Sequence, residues 1–214
     1  MRGLLLVTAS GLAREAGVLA EHSGEYDHIA HVDDDPRLWG RSVAGRPVLG
    51  GLEVVADRPS YRVLVCAGKG ATRRALVDRL TLMGVGLGRY ATVVHPAVDW
   101  FPWSVGAGSI ILGGAVLTAD VAVHEHVVLM PQVTLTHDDV VESYATLCAG
   151  VSVGGGVHIG EGAYLGMNAC VREGLTVGAG SVLGMGSVLL SDLPERETWA
   201  GSPARYLDGA RSSR

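Results

Sequence analysis

Residues 135–159 read LTHDDVVESYATLCAGVSVGGGVHI, and an aliphatic residue returns at every sixth position of this stretch. The same spacing continues in both directions. Its fifteen members are Val105, Ile111, Leu117, Val123, Leu129, Leu135, Val141, Leu147, Val153, Ile159, Leu165, Val171, Val177, Leu183 and Leu189. A period of six fits neither an α-helix nor simple strand alternation, whereas it is typical of a hexapeptide β-solenoid. The repeat therefore predicts an all-β solenoid for the second half of the chain.

A second pattern accompanies the first, because the residue four places after each aliphatic one is usually small or short, as at Ser109 and Ala145. Small residues suit the narrow interior of a three-walled prism. Glycine often follows the aliphatic residue directly, as at Gly154 and Gly160, and we expect these glycines to form sharp corners with unusual backbone angles. Three walls of six residues make one coil, so residues eighteen apart should stack about 4.8 Å from each other.

Composition narrows the class of protein. The 214 residues, 48% of them hydrophobic, are enough for one large or two modest domains. A net charge of −5 without a basic run argues against nucleic-acid binding, and no apolar segment approaches the ~18 residues of a membrane helix. Three cysteines without metal-ligand spacing indicate a reducing compartment and no metal site. We therefore expect a cytoplasmic protein that binds neither nucleic acid nor membrane.

Residues 1–95 form a different kind of domain, in which apolar strands alternate with helical stretches. The predicted strands are Leu4–Val7, a segment near His28–Val32 and Val63–Cys66; helices follow the first strand to about Glu21 and run from about Thr72 to Met83. This order predicts an α/β domain with a small parallel sheet and ligands at the carboxyl ends of its strands. The solenoid domain then covers residues 96–214.

Polar residues at those strand ends are candidates for substrate binding. Ser10 and Gly11 lie in a turn before a helix N-terminus, where backbone N–H groups can hold phosphate. Asp33 and Asp34 follow the second strand, where a carboxylate can accept hydrogen bonds from ribose hydroxyls. The alternative is that Gly11 only eases a tight turn and that the aspartates form a solvated loop.

The coil at residues 135–152 departs from the repeat in a way that suggests catalysis. His137 lies two residues after an inward position, so its side chain should point outward, and Gly155 lies eighteen residues on, about one coil away. A base beside a backbone N–H is what acyl transfer requires. Either Asp138 or Asp139 could orient the imidazole. His124 and His126 lie in an earlier coil without a comparable acid or glycine neighbour, and His158 falls at a corner next to Ile159. All three are interpreted as surface or structural histidines.

Four segments together resemble the left-handed β-helix acyltransferases: the hexapeptide repeat, the stretch 136–140, the run 165–171 and the closing Ala-Gly-Ser-Pro-Ala-Arg of residues 200–205. The α/β domain joined by the link at residues 92–96 is similar in particular to the NeuD/PglD group of sugar O- and N-acetyltransferases. That similarity implies a Rossmann-like N-terminal domain that holds a sugar nucleotide.

The resemblance also implies a homotrimer with acetyl-CoA in the groove between adjacent helices. His137 would be the general base, Asp138 its acidic partner and Gly155 the backbone donor to the oxyanion. Gly155, Met167 and Gly184 would contact the coenzyme, and the sugar nucleotide would lie near the four polar candidates of the N-terminal domain.

This sequence departs from the family pattern at three places. The family's glycine- and histidine-rich N-terminal turn reads Thr-Ala-Ser-Gly-Leu-Ala at residues 8–13, a second histidine of some members is Thr146, and Lys69 is the only lysine. The acceptor is therefore left open between a nucleotide-linked sugar, an unlinked amino sugar, an amino acid and a natural-product intermediate. Nitrogen and oxygen both remain possible acceptor atoms, and a catalytically silent solenoid that serves in binding or assembly is the alternative outside enzymes.

Overall fold

The computed structural model describes residues 2–101 and 104–208. Residues 102–103 and 209–214 of the predicted solenoid domain, like Met1, lie outside the described residues. Within the described part of the chain, no helix is long and apolar enough to cross a membrane.

The N-terminal unit is built around a parallel three-stranded sheet, in which Gly3–Val7 is the central strand and His28–Val32 and Arg62–Val65 flank it. Its elements are β1 (Gly3–Val7), α1 (Gly11–Ser23), β2 (His28–Val32), β3 (Ser42–Val43), β4 (Arg46–Pro47), β5 (Arg62–Val65) and α2 (Gly70–Leu82), with 3-10 turns at Pro36–Leu38, Leu52–Val55 and Leu87–Arg89. Strand β1 is the central strand and is buried along its whole length, which explains its unbroken run of apolar residues. The predicted strands and helices are confirmed to within two residues.

The second half is a parallel β-solenoid with strands of two residues. They are β6 (Val93–Val94), β7 (Ile110–Ile111), β8 (Val116–Leu117), β9 (Ala122–Val123), β10 (Val128–Leu129), β11 (Thr134–Leu135), β12 (Val140–Val141), β13 (Thr146–Leu147), β14 (Ser152–Val153), β15 (His158–Ile159), β16 (Tyr164–Leu165), β17 (Cys170–Val171), β18 (Thr176–Val177), β19 (Val182–Leu183) and β20 (Val188–Leu189). An antiparallel pair, β21 (Thr198–Gly201) and β22 (Ala204–Tyr206), closes the described chain.

Three walls result from the pairing of strands eighteen residues apart. Wall 1 contains β7, β10, β13, β16 and β19; wall 2 contains β8, β11, β14, β17 and β20; wall 3 contains β9, β12, β15 and β18. The second residue of each strand points into the prism, and all fifteen positions four residues later are buried as well, from Ser109 to Leu193. The repeat therefore builds one continuous core, as predicted.

The corner glycines have a different role from the one expected. Left-handed backbone angles occur three residues after every inward aliphatic residue from Val105 to Leu183, as at Asp138 (φ 63°) and Gly156 (φ 70°), and not directly after it. The glycines that follow the aliphatic residue are needed because successive coils approach closely there. A Cβ on Gly154, for example, would lie 2.7 Å from the backbone nitrogen of Glu173.

A buried arginine joins the two halves. Arg73 of α2 is fully buried, and its guanidinium donates hydrogen bonds to Ala67 O (2.6 Å) in its own unit and to His126 O (2.7 Å) and Tyr144 O (2.8 Å) in the solenoid. No carboxylate pairs with it in the described residues, and burial lowers its pKa to about 10, so it remains charged at neutral pH. A buried charge is costly unless it has hydrogen-bond partners, so Arg73 is stable only where these carbonyl groups surround it. The hydrogen bonds to His126 and Tyr144 therefore hold α2 in place on the solenoid.

Candidate functional site

The predicted base lies on the edge between walls 2 and 3. His137 and Asp138 belong to the corner between β11 and β12, and both side chains are exposed, by 68% and 66%. The left-handed backbone at Asp138 is one that aspartate tolerates better than most residues. It places one carboxylate oxygen (Oδ2) of Asp138 2.8 Å from Nδ1 of His137. The structure therefore pairs His137 with Asp138.

This contact has an electrostatic consequence. The hydrogen bond to Asp138, reinforced by the charge of that carboxylate, raises the pKa of His137 above its ordinary value. In the neutral imidazole, a proton on Nδ1 that is donated to Asp138 leaves Nε2 as the unprotonated nitrogen. Such an arrangement suits a general base that acts through Nε2.

Gly155 lies directly against the imidazole. The N–H of Gly156 donates to His137 O across 2.8 Å, which holds the two coils in register. A side chain at Gly155 would overlap Nε2 and Cε1 of His137, so the absence of a Cβ makes room for the ring. Within the described residues, the Gly155 N–H has no hydrogen-bond acceptor. The structure thus brings His137, Asp138 and Gly155 together.

Asp139, the other candidate partner, has a structural role instead. It is fully buried, and its carboxylate accepts hydrogen bonds from the N–H groups of Thr136 (2.8 Å) and Val157 (2.9 Å). Burial raises the pKa of Asp139 in spite of these bonds. The bond from Thr136 N closes the turn that contains His137, and the bond from Val157 N connects that turn to the following coil.

His124 does have an acidic neighbour, contrary to the sequence interpretation, and it shares this neighbour with His158. Glu142 lies between them: its Oε2 is 3.1 Å from Nδ1 of His124, and its Oε1 is 3.1 Å from Nε2 of His158. The sequence could have predicted the contact with His124, because residues eighteen apart stack on each other and Glu142 follows His124 by eighteen residues. His126 is buried instead between Tyr90 and Tyr144, and burial lowers its pKa to about 4.

Met167 and Gly184 lie on a different edge of the prism, between walls 1 and 2. Met167 is 49% exposed, whereas Gly184 packs against Ala200, whose Cβ would lie 2.8 Å from an added Cβ. A single chain therefore does not place these two residues beside His137.

The predicted substrate residues of the N-terminal unit surround the carboxyl ends of β1 and β2. Ser10 caps α1 by accepting a hydrogen bond from Ala13 N (3.2 Å), and Gly11 is the first residue of that helix. Asp33 accepts from Ala9 N (2.8 Å), which links the second strand to the same turn.

Asp34 forms an ion pair with Arg79 (2.6 Å), and the hydrogen bond from that arginine lowers the pKa of Asp34. Asp33 and Asp34 border a cavity of about 200 Å³ together with Thr8 and Thr72. No group of three or more acidic, histidine or cysteine side chains in the described ranges is arranged to hold a metal ion.

Known structures share this architecture along the whole chain. The acetyltransferase domain of PglB from Neisseria gonorrhoeae FA1090 has a TM-score of 0.88 and 29% identity, over 97% of this chain and 100% of that chain. The same domain in complex with acetyl coenzyme A matches with a TM-score of 0.88 and 29% identity, over 96% and 99% of the two chains.

PerB from Caulobacter crescentus, solved in complex with CoA and GDP-perosamine, has a TM-score of 0.87 and 26% identity, over 96% and 97% of the two chains. Two further structures, at 25% identity and a TM-score of 0.74, contain histidine-substituted variants of the Caulobacter enzyme in complex with CoA and GDP-perosamine. No protein-family model matches the chain, and a search of curated proteins gives no match. In fold and along its whole length, the chain resembles the sugar acetyltransferases of the left-handed β-helix type.

Proposed function

We propose that this protein transfers an acetyl group from acetyl-CoA to an amino or hydroxyl group of a nucleotide-linked sugar. The observation that carries the proposal is the contact of the His137–Asp138 pair with Gly155 on the neighbouring coil. A base and a backbone N–H lie side by side there, at an exposed edge that a substrate can reach. The acetyltransferases of similar structure support the choice of acyl donor.

The reaction begins when Nε2 of His137 removes a proton from the acceptor as its nitrogen or oxygen attacks the thioester carbonyl carbon. Asp138 stabilises the imidazolium that forms. The carbonyl oxygen becomes an oxyanion, to which the Gly155 N–H donates a hydrogen bond. The intermediate then collapses, the carbon–sulfur bond breaks, and the CoA thiolate takes the proton from His137. The products are the acetylated sugar and free CoA thiol.

We propose further that the active form is a homotrimer. His137 and Gly155 lie on the edge between walls 2 and 3, whereas Met167 and Gly184 lie on the edge between walls 1 and 2. The two pairs of residues can contact the same acetyl-CoA molecule if the edge with His137 and Gly155 in one copy faces the edge with Met167 and Gly184 in the next copy. The large exposed fraction of the His137 side chain, 68%, is in keeping with a groove that a second copy completes.

The N-terminal unit, residues 1–95, is proposed to hold the nucleotide as a Rossmann-like domain, with residues 96–214 as the transferase domain. Supporting this assignment, Asp33 and the turn at Ser10 and Gly11 lie together at the carboxyl ends of a parallel sheet, where such folds bind ligands. The free thiols of Cys66, Cys148 and Cys170 favour the cytoplasm as the compartment.

The test is a thiol-release assay with acetyl-CoA and UDP-, GDP-, CMP- and dTDP-linked amino sugars, beside the same sugars without a nucleotide. We expect turnover with one nucleotide-linked acceptor. Turnover restricted to unlinked acceptors would reject the nucleotide role of Ser10, Gly11, Asp33 and Asp34. A protein that neither binds acetyl-CoA nor releases thiol with any acceptor would reject the transferase function.

A further inference from the structure

One buried carboxylate interrupts the regular pattern of the solenoid beside the proposed base. Asp139 is the one charged residue among the fifteen positions that lie four residues after an inward aliphatic residue, and the others are apolar or serine. It is fully buried, and burying a carboxylate is costly even when the group accepts hydrogen bonds. A costly residue at a position where alanine or serine fits is expected at functional sites.

Asp139 changes a hydrogen bond that the other coils make in one common way. From Gly106 to Arg172, the N–H of the residue after each inward aliphatic residue donates to a carbonyl seventeen residues later, on the next coil. The exception within the described residues is Thr136, whose N–H donates to Oδ2 of Asp139 across 2.8 Å. The carbonyl of Val153, which continues the pattern, accepts from the Thr136 hydroxyl instead (2.9 Å). A side-chain hydroxyl therefore replaces a backbone N–H between these two coils.

The second carboxylate oxygen of Asp139 acts on the corner that contains Gly155. This oxygen, Oδ1, accepts a hydrogen bond from the N–H of Val157 across 2.9 Å. At the corresponding positions Ala163 and Ala169, the N–H donates to the carbonyl three residues earlier in its own corner, across 3.1 Å in both cases. Asp139 thus accepts one backbone donor from each of two successive corners.

The two backbone groups that Asp139 binds lie close to the proposed catalytic groups. Thr136 immediately precedes His137, and Val157 lies two residues after Gly155. Because the backbone at a corner determines where its side chains and N–H groups point, these two hydrogen bonds affect how the imidazole faces the glycine. A misplacement of about 1 Å at a catalytic group can reduce turnover by about 10²-fold.

We infer that Asp139 is a positioning residue, which holds the corner of His137 and the corner of Gly155 in the relative arrangement that acyl transfer requires. The inference rests on the proposed function and deepens it, because it identifies the group that sets the geometry of the site. Asp139 acts through the N–H groups of Thr136 and Val157 and does not itself contact the substrate. Its presence lowers the stability of the coil and raises turnover, a combination that is common at functional sites.

The experiment measures stability and turnover together in Asp139→Ala. Alanine already occupies the same inward position at residues 145, 163 and 169, so this variant should fold. The N–H groups of Thr136 and Val157 can then donate to the carbonyl groups that the repeat ordinarily supplies. We therefore expect a melting temperature that is unchanged or higher.

Turnover of Asp139→Ala is measured by thiol release with the acceptor that the unmodified protein uses. We expect kcat to fall by about 10–10²-fold, because the imidazole is misplaced. The KM for acetyl-CoA should change by less than about 3-fold, as is typical when an interaction of the transition state alone is lost. A loss of stability with a normal kcat per folded molecule would give Asp139 a purely structural role and overturn the inference.

Two further variants complete the comparison. Asp139→Ser has a side chain that occurs at three other inward positions, and its single oxygen cannot replace both carboxylate oxygens, so kcat should fall here as well. Ser109→Ala is the matched control, since Ser109 is another buried inward residue that accepts from a backbone N–H, that of Val127 (3.0 Å). It lies at the edge between walls 3 and 1, so its replacement should leave kcat unchanged.

A measurement that needs no turnover separates this inference from the proposed function. In NMR spectra of the unmodified protein, the amide resonance of Gly155 should shift as His137 titrates, and this shift should be largely lost in Asp139→Ala. An equal shift in both proteins would show that Asp139 does not hold the imidazole against the glycine. If no acceptor supports thiol release, the proposed function fails, and the NMR comparison still decides whether Asp139 positions His137.

Discussion

Two successive corners on the same edge of the prism share a backbone and differ in chemistry. Residues 136–139 and 154–157 each connect wall 2 to wall 3, and each has a left-handed residue at its third position, Asp138 and Gly156. The first corner presents an imidazole and a carboxylate, whereas the second presents three glycines in succession. The repeat determines the geometry of both, and the contrast in side-chain size creates the contact between His137 and Gly155.

The largest effect should follow from removing the imidazole, which makes the first corner chemically like the second. We expect His137→Ala to reduce turnover by about 10²–10⁴-fold, because the general base is lost. The melting temperature should change little, since the side chain is 68% exposed. His22→Ala, which removes an exposed histidine of the N-terminal unit, serves as the control in the same thiol-release assay. Near-normal turnover of His137→Ala would exclude this residue from the mechanism.

Adding one methyl group to the second corner should have the next largest effect. In Gly155→Ala the new Cβ would overlap the imidazole, which is exposed and can rotate away. We expect turnover to fall by about 10²-fold through displacement of the base, with little change in thermal stability. Gly88→Ala, where an added Cβ meets no atom within 4 Å, is the matched control. Full activity of Gly155→Ala would show that the imidazole need not lie against this glycine.

A smaller effect, visible mainly in the pH profile, should follow from neutralising the carboxylate of the first corner. Asp138 raises the pKa of His137, and a general base works only when unprotonated. Asp138→Asn should therefore move the rising limb of kcat/KM to lower pH and reduce the plateau by about 10-fold. Asp57→Asn, at an exposed position of the N-terminal unit, should leave the limb in place. A limb that stays unchanged in Asp138→Asn would contradict the pairing.

The smallest effect on catalysis, and a larger one on stability, is expected one residue earlier in the second corner. Gly154→Ala places a Cβ 2.7 Å from the backbone of Glu173, which cannot move aside as the imidazole can. We expect a loss of about 1–3 kcal/mol in the free energy of unfolding, with normal turnover per folded molecule. Denaturant unfolding and active-site-normalised kinetics would measure both. Loss of turnover without loss of stability would reverse the roles assigned to the two glycines.

The positions of the two corners could be predicted from the sequence, because the spacing of the repeat determines which residues of successive coils are neighbours. A spacing of eighteen residues predicts that His137 and Gly155 are neighbours, and the structure agrees. The resemblance to sugar acetyltransferases is likewise confirmed by the similar structures of PglB and PerB. The sequence left the choice between Asp138 and Asp139 open, although the repeat put Asp139 at an inward position, four residues after Leu135, and so favoured Asp138. In the structure Asp139 is buried and Asp138 contacts the imidazole.

Other features depended on contacts that no local pattern encodes. Arg73 lies in a helix whose neighbouring residue Arg74 is exposed, and nothing in the sequence distinguishes the buried arginine from the exposed one. Arg73 becomes buried only when the helix packs against the carbonyl groups of His126 and Tyr144, which are more than fifty residues away in the sequence.

The buried arginine has a consequence for protein engineering. Exchanging residues 1–95 with those of a relative would be the obvious way to change the nucleotide that such an enzyme accepts. Here a chimera made at that boundary must also reproduce the position of Arg73 above the carbonyl groups of His126 and Tyr144. A donor domain with an uncharged residue there would leave these buried acceptors unsatisfied, at a cost of about 1–3 kcal/mol for each group. The transferable module is therefore larger than the domain, because it includes the solenoid surface against which the arginine packs.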